Sequence, residues 1–170
     1  MSGFNGIKLK ELMTQHNLTI AVAESLTSGN IQAMIGSISG SSTFFQGGMT
    51  VYSLDQKVKQ LGVNREHASQ VDSVSERVAA EMAKGVSLKF NSDIGIGTTG
   101  YAEPYPIQDV TSPYAYFAIW RKEENNLDGI FIAQEMVKGE NLSRVEMQKF
   151  LSEKVLITLI EYLQQNLMFA

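Results

Sequence analysis

Three short segments gather hydroxyls, glycines and charged groups where strand-like sequence gives way to a helix or a loop. They are Ala23-Glu24-Ser25-Leu26-Thr27-Ser28-Gly29, Tyr52-Ser53-Leu54-Asp55-Gln56-Lys57 and Thr98-Thr99-Gly100. Ligands of α/β sheets sit at the carboxyl ends of strands and the starts of the following helices. If the three strands lie side by side, these ends converge on one pocket. Ser25 is the nucleophile candidate, because a side chain on a sharp turn out of a strand is presented to solvent. The N–H groups of a helix opening at Thr27 face the same point and can hold an oxyanion or a phosphate. A serine needs a base to act. His16 falls on a helix and His67 in a loop between helices. Neither is at a strand end, which argues against a Ser-His-Asp triad. Lys57 is the remaining base, provided burial lowers its pKa. Tyr52 is placed to position that lysine or relay a proton. Glu24, Thr27, Ser28, Gly29, Thr99 and Gly100 are the candidates for holding a substrate.

Each residue also has a plainer reading. Ser25 and Thr27 suit simple helix capping. Lys57 suits a solvated surface charge, and Tyr52 a core aromatic with a wet hydroxyl. Spacing alone does not choose between the two sets.

The elements that must position these groups follow from apolar periodicity. Ile7, Leu9, Leu12 and Met13 recur at helical spacing and predict a helix over 4–16. Thr19 to Ala23 reads as a buried strand, and Asn30 to Ile38 as the helix after it. Phe44 to Tyr52 reads as a strand weakened by Gly47-Gly48, and Leu54 to Leu61 as a helix stopped by Gly62. Ser75 to Phe90 carries the clearest helical stripe, Val78, Ala79, Met82 and Val86, behind a serine N-cap. Ile94 to Gly97 reads as a short strand. Tyr101 to Pro113 holds all three prolines and reads as a loop. Tyr114 to Trp120 and Ile130 to Val137 read as a hairpin joined through the polar stretch 124–129. Ser143 to Gln165 reads as a closing helix. Helices interleaved with short apolar strands predict a three-layer α/β/α sandwich with a mixed, mostly parallel sheet.

The 170 residues suit one domain, taken as 1–170. A net charge of −4 argues against a general grip on nucleic acid or anionic lipid. The absence of cysteine excludes disulfides, thiol catalysis and thiolate metal sites. The first ten residues lack an apolar run of signal-peptide length, and Val155 to Leu163 is too short to span a bilayer. The chain therefore reads as cytoplasmic and soluble. The apolar tail Leu167-Met168-Phe169-Ala170 suggests burial against a partner or the body of the domain.

These segments resemble the CinA C-terminal domain family, the nicotinamide-nucleotide amidases. The family's A-E-S-C/S/L-T-G-G is matched by residues 23–29. Its phenylalanine, glycine pair and Y-S-N-E-x-K are matched by Phe45, Gly47-Gly48 and Tyr52 to Lys57. Leu61-Gly62-Val63 matches its next feature, and Val74-Ser75-Glu76, Val78-Ala79, Met82-Ala83 and Gly85 match V-S-E-x-V-A-x-x-M-A-x-G. The resemblance covers nearly the whole chain in order and spacing. It implies hydrolysis of the carboxamide of nicotinamide mononucleotide through a Ser-Lys dyad. The family's catalytic serine and lysine fall on Ser25 and Lys57, and its motif tyrosine on Tyr52. It implies no metal or other cofactor, a small-molecule amide or nucleotide as substrate, and a homo-oligomer.

Three departures touch the substrate side. The family's second glycine after the threonine is Ser28. Its G-I-A-G-P, with a glycine-rich loop and K-P-V-G behind it, is here Gly100-Tyr101-Ala102-Glu103-Pro104-Tyr105-Pro106 followed by Thr111-Ser112-Pro113-Tyr114. A flexible loop has become stiff, bulky and acidic, and Glu103 near a phosphate repels it. The family's G-D-R is Gly139-Glu140-Asn141, which leaves Arg144, one turn later, as the substitute phosphate contact. Two readings therefore stand side by side. One is an amidohydrolase acting on nicotinamide mononucleotide or a related amide. The other is a catalytically altered or inactive relative that binds a small ligand or serves in assembly.

Overall fold

The computed structural model describes residues 3–123 and 126–167. Five strands form one sheet in the order β2-β1-β3-β4-β5. They are β1 (Ile20–Glu24), β2 (Phe45–Thr50), β3 (Ile94–Tyr101), β4 (Tyr114–Glu123) and β5 (Asn126–Lys138). Strand β1 pairs in parallel with β2 and β3, while β4 runs antiparallel to both its neighbours. All strands but β4 thus point one way, as a mixed, mostly parallel α/β sheet requires. The helices are α1 (Gly6–Gln15), α2 (Asn30–Gly36), α3 (Leu54–Leu61), α4 (Arg65–Gln70), α5 (Glu76–Phe90) and α6 (Arg144–Leu167). Among the described residues, no helix is long and apolar enough to cross a membrane.

All of β1 is buried, because helices cover both faces of the sheet at this point. Its alternate residues Ile20 and Val22 join Leu9, Ile31, Phe117 and Leu156 in a core shared with α1, α2 and α6. Ala21 and Ala23 face the other way, into a core with Val78, Met82 and Val86 of α5. Helix α5 lies directly on β3 because Gly97 has no side chain. A Cβ there would stand 2.3 Å from the carbonyl oxygen of Ala79. The approach continues over β4, where Ala79 and Ala83 pack with Ala118 and Trp120.

Strand β3 is longer than its apolar run. Its parallel ladder with β1 ends at the pair Ala23–Gly97, but the antiparallel ladder with β4 continues to Tyr101–Tyr114. Thr98, Thr99 and Gly100 therefore lie on a strand and not in a loop, held by a partner that local sequence does not show. The expected strand over 44–52 is shorter, so Tyr52 and Ser53 form the connection to α3. Helix α4 corrects the placing of His67 in a loop. It is six residues long, without an apolar stripe, and is capped by Asn64 accepting from the N–H of His67. Residues 124–125 of the predicted hairpin connection lie outside the described residues, and β5 already begins at Asn126. The apolar tail beyond Leu167 lies outside them too.

Candidate active site

The sharp exit from β1 is built around Glu24. Its fully buried carboxylate accepts from the N–H groups of Gly29 and Ile31 on one oxygen. The other oxygen accepts from the N–H and side-chain amide of Gln32. These are the orphan donors at the start of α2. Helix α2 opens at Asn30, not Thr27, and its first donors are spent on Glu24, so they are not the expected oxyanion donors. The turn between holds Ser28 at φ +49° and Gly29 at φ +94°. A serine in the left-handed region costs on the order of 1 kcal/mol relative to glycine, so the Ser28 departure bears on the turn's stability.

Ser25 leaves this turn toward a cavity of about 440 Å³, a size that suits a small-molecule ligand. Its N–H donates to the carbonyl of Thr98, which ties the turn to β3. The Leu26 carbonyl accepts from the Gln148 side chain on α6 at 2.8 Å. Among the described residues, no acceptor is found for the N–H of Leu26 or Thr27. Both follow the serine in the turn, but only Leu26 lines the cavity, and Thr27 is fully buried.

Lys57 enters the same cavity from α3. It lies three residues after Leu54 and four before Leu61, on the face that α3 turns to the core. It is 2% exposed, so the solvated reading of this lysine does not hold. Its Nζ donates to Ser25 Oγ at 3.0 Å and to the Tyr52 carbonyl oxygen at 2.9 Å. Burial drives its pKa from 10.5 down to about 8, against the opposing pull of Asp72. Near pH 8, therefore, about half the amine is neutral and able to accept a proton.

Tyr52 takes part differently from its expected role. Its backbone carbonyl positions the lysine, while the residue as a whole is 56% exposed. The phenol oxygen accepts from Arg144 Nη2 at 2.7 Å, and Arg144 Nη1 meets Glu103 Oε1 at 2.6 Å. The hydrogen bond that Arg144 donates to Tyr52, and then the Glu103 pair, raise the guanidinium's pKa. Arg144, Glu103 and Tyr52 thus form a bridge on the cavity wall from α6 to the connection between β2 and α3.

Of the predicted site residues, Ser25, Tyr52, Lys57, Thr99, Gly100 and Arg144 line the cavity. Glu24, Thr27, Ser28 and Gly29 do not. Thr27 is buried with its hydroxyl 2.9 Å from that of Thr98, and it braces the turn. Thr99 donates to the carbonyl of Ser73 at 2.6 Å.

Asp72 is the cavity residue that sequence reasoning missed. It and Ser73 stand consecutively at φ +48° and +62°. Asp72 accepts from the Tyr101 hydroxyl at 2.8 Å. Burial first, and this carboxylate second, push the Tyr101 phenol above its usual range, so it stays a donor. Tyr101 also stacks on Tyr105, centroids 5.7 Å apart. The signal for Asp72 was its place in the Asp-Ser pair just before the N-cap Ser75, which only the turn geometry makes meaningful. Among the described residues, no group of three or more His, Asp or Glu could hold a metal ion.

A family profile described as "CinA C-terminal domain" matches residues 7–161. A CinA-like protein of Picosynechococcus is 41% identical over 118 residues, 69% of this chain and 28% of that protein. One of Flavobacterium psychrophilum is 43% identical over 98 residues, 58% of this chain and 23% of that protein. The matched part of this chain thus spans about a quarter of the length of these curated relatives. The crystal structure of the competence damage-inducible protein A of Klebsiella pneumoniae has the same fold. Its TM-score is 0.85 at 21% identity, over 95% of this chain and 96% of that one.

Proposed function

The chain belongs to the CinA C-terminal domain family, and on that premise we propose that it hydrolyses a carboxamide through Ser25 and Lys57. The resemblance of its motifs to the nicotinamide-nucleotide amidases makes nicotinamide mononucleotide, or a related amide, the first substrate to try. The observation that carries the reading is the 3.0 Å contact between Ser25 Oγ and a buried lysine whose pKa is lowered to about 8.

Neutral Lys57 accepts the Ser25 proton as Oγ bonds to the amide carbon. It keeps its place because Nζ still donates to the Tyr52 carbonyl. The carbonyl oxygen becomes an oxyanion, and the N–H of Leu26, a residue that lines the cavity next to Ser25, is the free donor proposed to meet it. Lys57 then returns the proton to the departing nitrogen, and ammonia leaves an acyl-serine. Water attacks that ester as Lys57 takes its proton, Lys57 passes that proton to Ser25 Oγ as the ester C–O bond breaks, and the acid released gives its own proton to ammonia. The net change is amide plus water to carboxylate plus ammonium. No protein group is consumed.

The non-catalytic reading draws on the Glu103–Arg144 pair across the cavity wall. Incubation of pure protein with nicotinamide mononucleotide and a panel of small carboxamides, followed by ammonia release, separates the two. Turnover of an amide that is lost in Ser25→Ala supports the hydrolase. Binding without turnover of any amide contradicts it.

A further inference from the structure

Four charged groups line the cavity: Lys57, Asp72, Glu103 and Arg144. Their partners decide what charge is left for a ligand. Lys57 is committed to Ser25 and the Tyr52 carbonyl. Arg144 is committed to Glu103 and the Tyr52 hydroxyl. One oxygen of Asp72 takes the Tyr101 hydroxyl, and the other has no hydrogen-bond donor among the described residues. The site thus offers a ligand an open carboxylate oxygen and no uncommitted cation.

We propose that the cavity selects carboxamides that carry no phosphate or other anionic group, favouring neutral or cationic ones, with Glu103 as the residue that enforces the choice. The inference rests on the amidohydrolase reading of the same site. In the working form, with Lys57 neutral, the four groups sum to one net negative charge. A phosphate that displaced Glu103 from Arg144 would still face that carboxylate, tethered on the same wall, and Asp72 beyond it. Exposed ion pairs are weak, so displacement itself is cheap. The residual negative charge is what opposes the anion. The rings of Tyr101 and Tyr105 suit a flat or cationic group.

The test compares two amides that differ only in a phosphate: nicotinamide mononucleotide and the same nucleoside without it. The wild-type protein is expected to hydrolyse the nucleoside with kcat/KM at least about tenfold higher. Glu103→Gln frees Arg144 and removes a negative charge, and it should narrow that ratio about tenfold. The double variant Glu103→Gln/Arg144→Met should restore it. Equal or better turnover of the mononucleotide by the wild type overturns the inference. Inorganic phosphate binding, read by calorimetry, decides the case where neither amide is turned over. Then the substrate proposed above fails. Phosphate bound by Glu103→Gln but not by the wild type still supports the charge inference, whereas any other pattern overturns it.

Discussion

Lys57 donates to the backbone carbonyl of Tyr52, five residues before it in sequence, at 2.9 Å. This bond turns the lysine back over the first turn of α3 and aims Nζ at Ser25. A backbone acceptor holds the amine whichever side chain occupies position 52. Tyr52→Phe should therefore keep the Lys57 geometry and lose only the Arg144 contact. Activity is expected to fall less than about tenfold, because one exposed hydrogen bond is removed. A loss approaching that of Ser25→Ala would place the phenol in the proton path.

The rate should rise with pH. The base must be neutral, so kcat/KM is expected to climb through an apparent pKa near 8 and level off above it. The Asp72 carboxylate holds that value up against burial. Asp72→Asn removes the carboxylate's charge, and the limb should move to lower pH. A pH–rate profile of the two proteins checks the sign, and an unmoved limb would separate Asp72 from Lys57.

Burying Lys57 should cost stability. The unfolded chain holds the proton to about pH 10.5, but the folded chain only to about 8. At neutral pH this penalty is roughly 3 kcal/mol. It shrinks as pH rises from 8 to 10.5, since the unfolded state then loses its extra proton too. Lys57→Met, which keeps the bulk without the charge, should raise Tm by several degrees at pH 7 while abolishing turnover. The gain should vanish above pH 10.5.

Glu24 should behave as a structural residue. Glu24→Ala leaves three backbone N–H groups and the Gln32 amide without their acceptor. A loss of at least about 3 kcal/mol is expected in urea unfolding. Glu24→Gln, which keeps one acceptor oxygen, should lose less. Equal midpoints for Glu24→Ala and the wild type would contradict the capping role.

Much of this architecture could be read from the chain, and the misses share a cause. Apolar periodicity located β1, α3 and α5 because their neighbours in sequence face a common core. The end of β3 was hidden because its partner, Tyr114 to Phe117 of β4, lies far along the chain. Helix α4 was hidden because its six residues carry no stripe. Within the site, a strand exit nominated Ser25 and the lack of a placed histidine nominated Lys57, but only the family motifs favoured chemistry over helix capping and a surface charge. Glu24 has motif status and a cavity-facing neighbour, yet its carboxylate turns into α2. Asp72 is the converse: a residue with no motif, brought to the cavity by two successive left-handed backbone positions.

If Ser25 is a nucleophile activated by Lys57, a probe for activated serines will find it. A fluorophosphonate, which labels activated serines, can be followed by intact mass and peptide mapping at pH 8.5. The wild-type protein should take up one adduct, on Ser25, with no adduct in Ser25→Ala and labelling slowed at least about 10³-fold in Lys57→Met. Labelling of Ser25 at the same rate in the wild type and Lys57→Met, or no labelling of Ser25 at all, would contradict that activation.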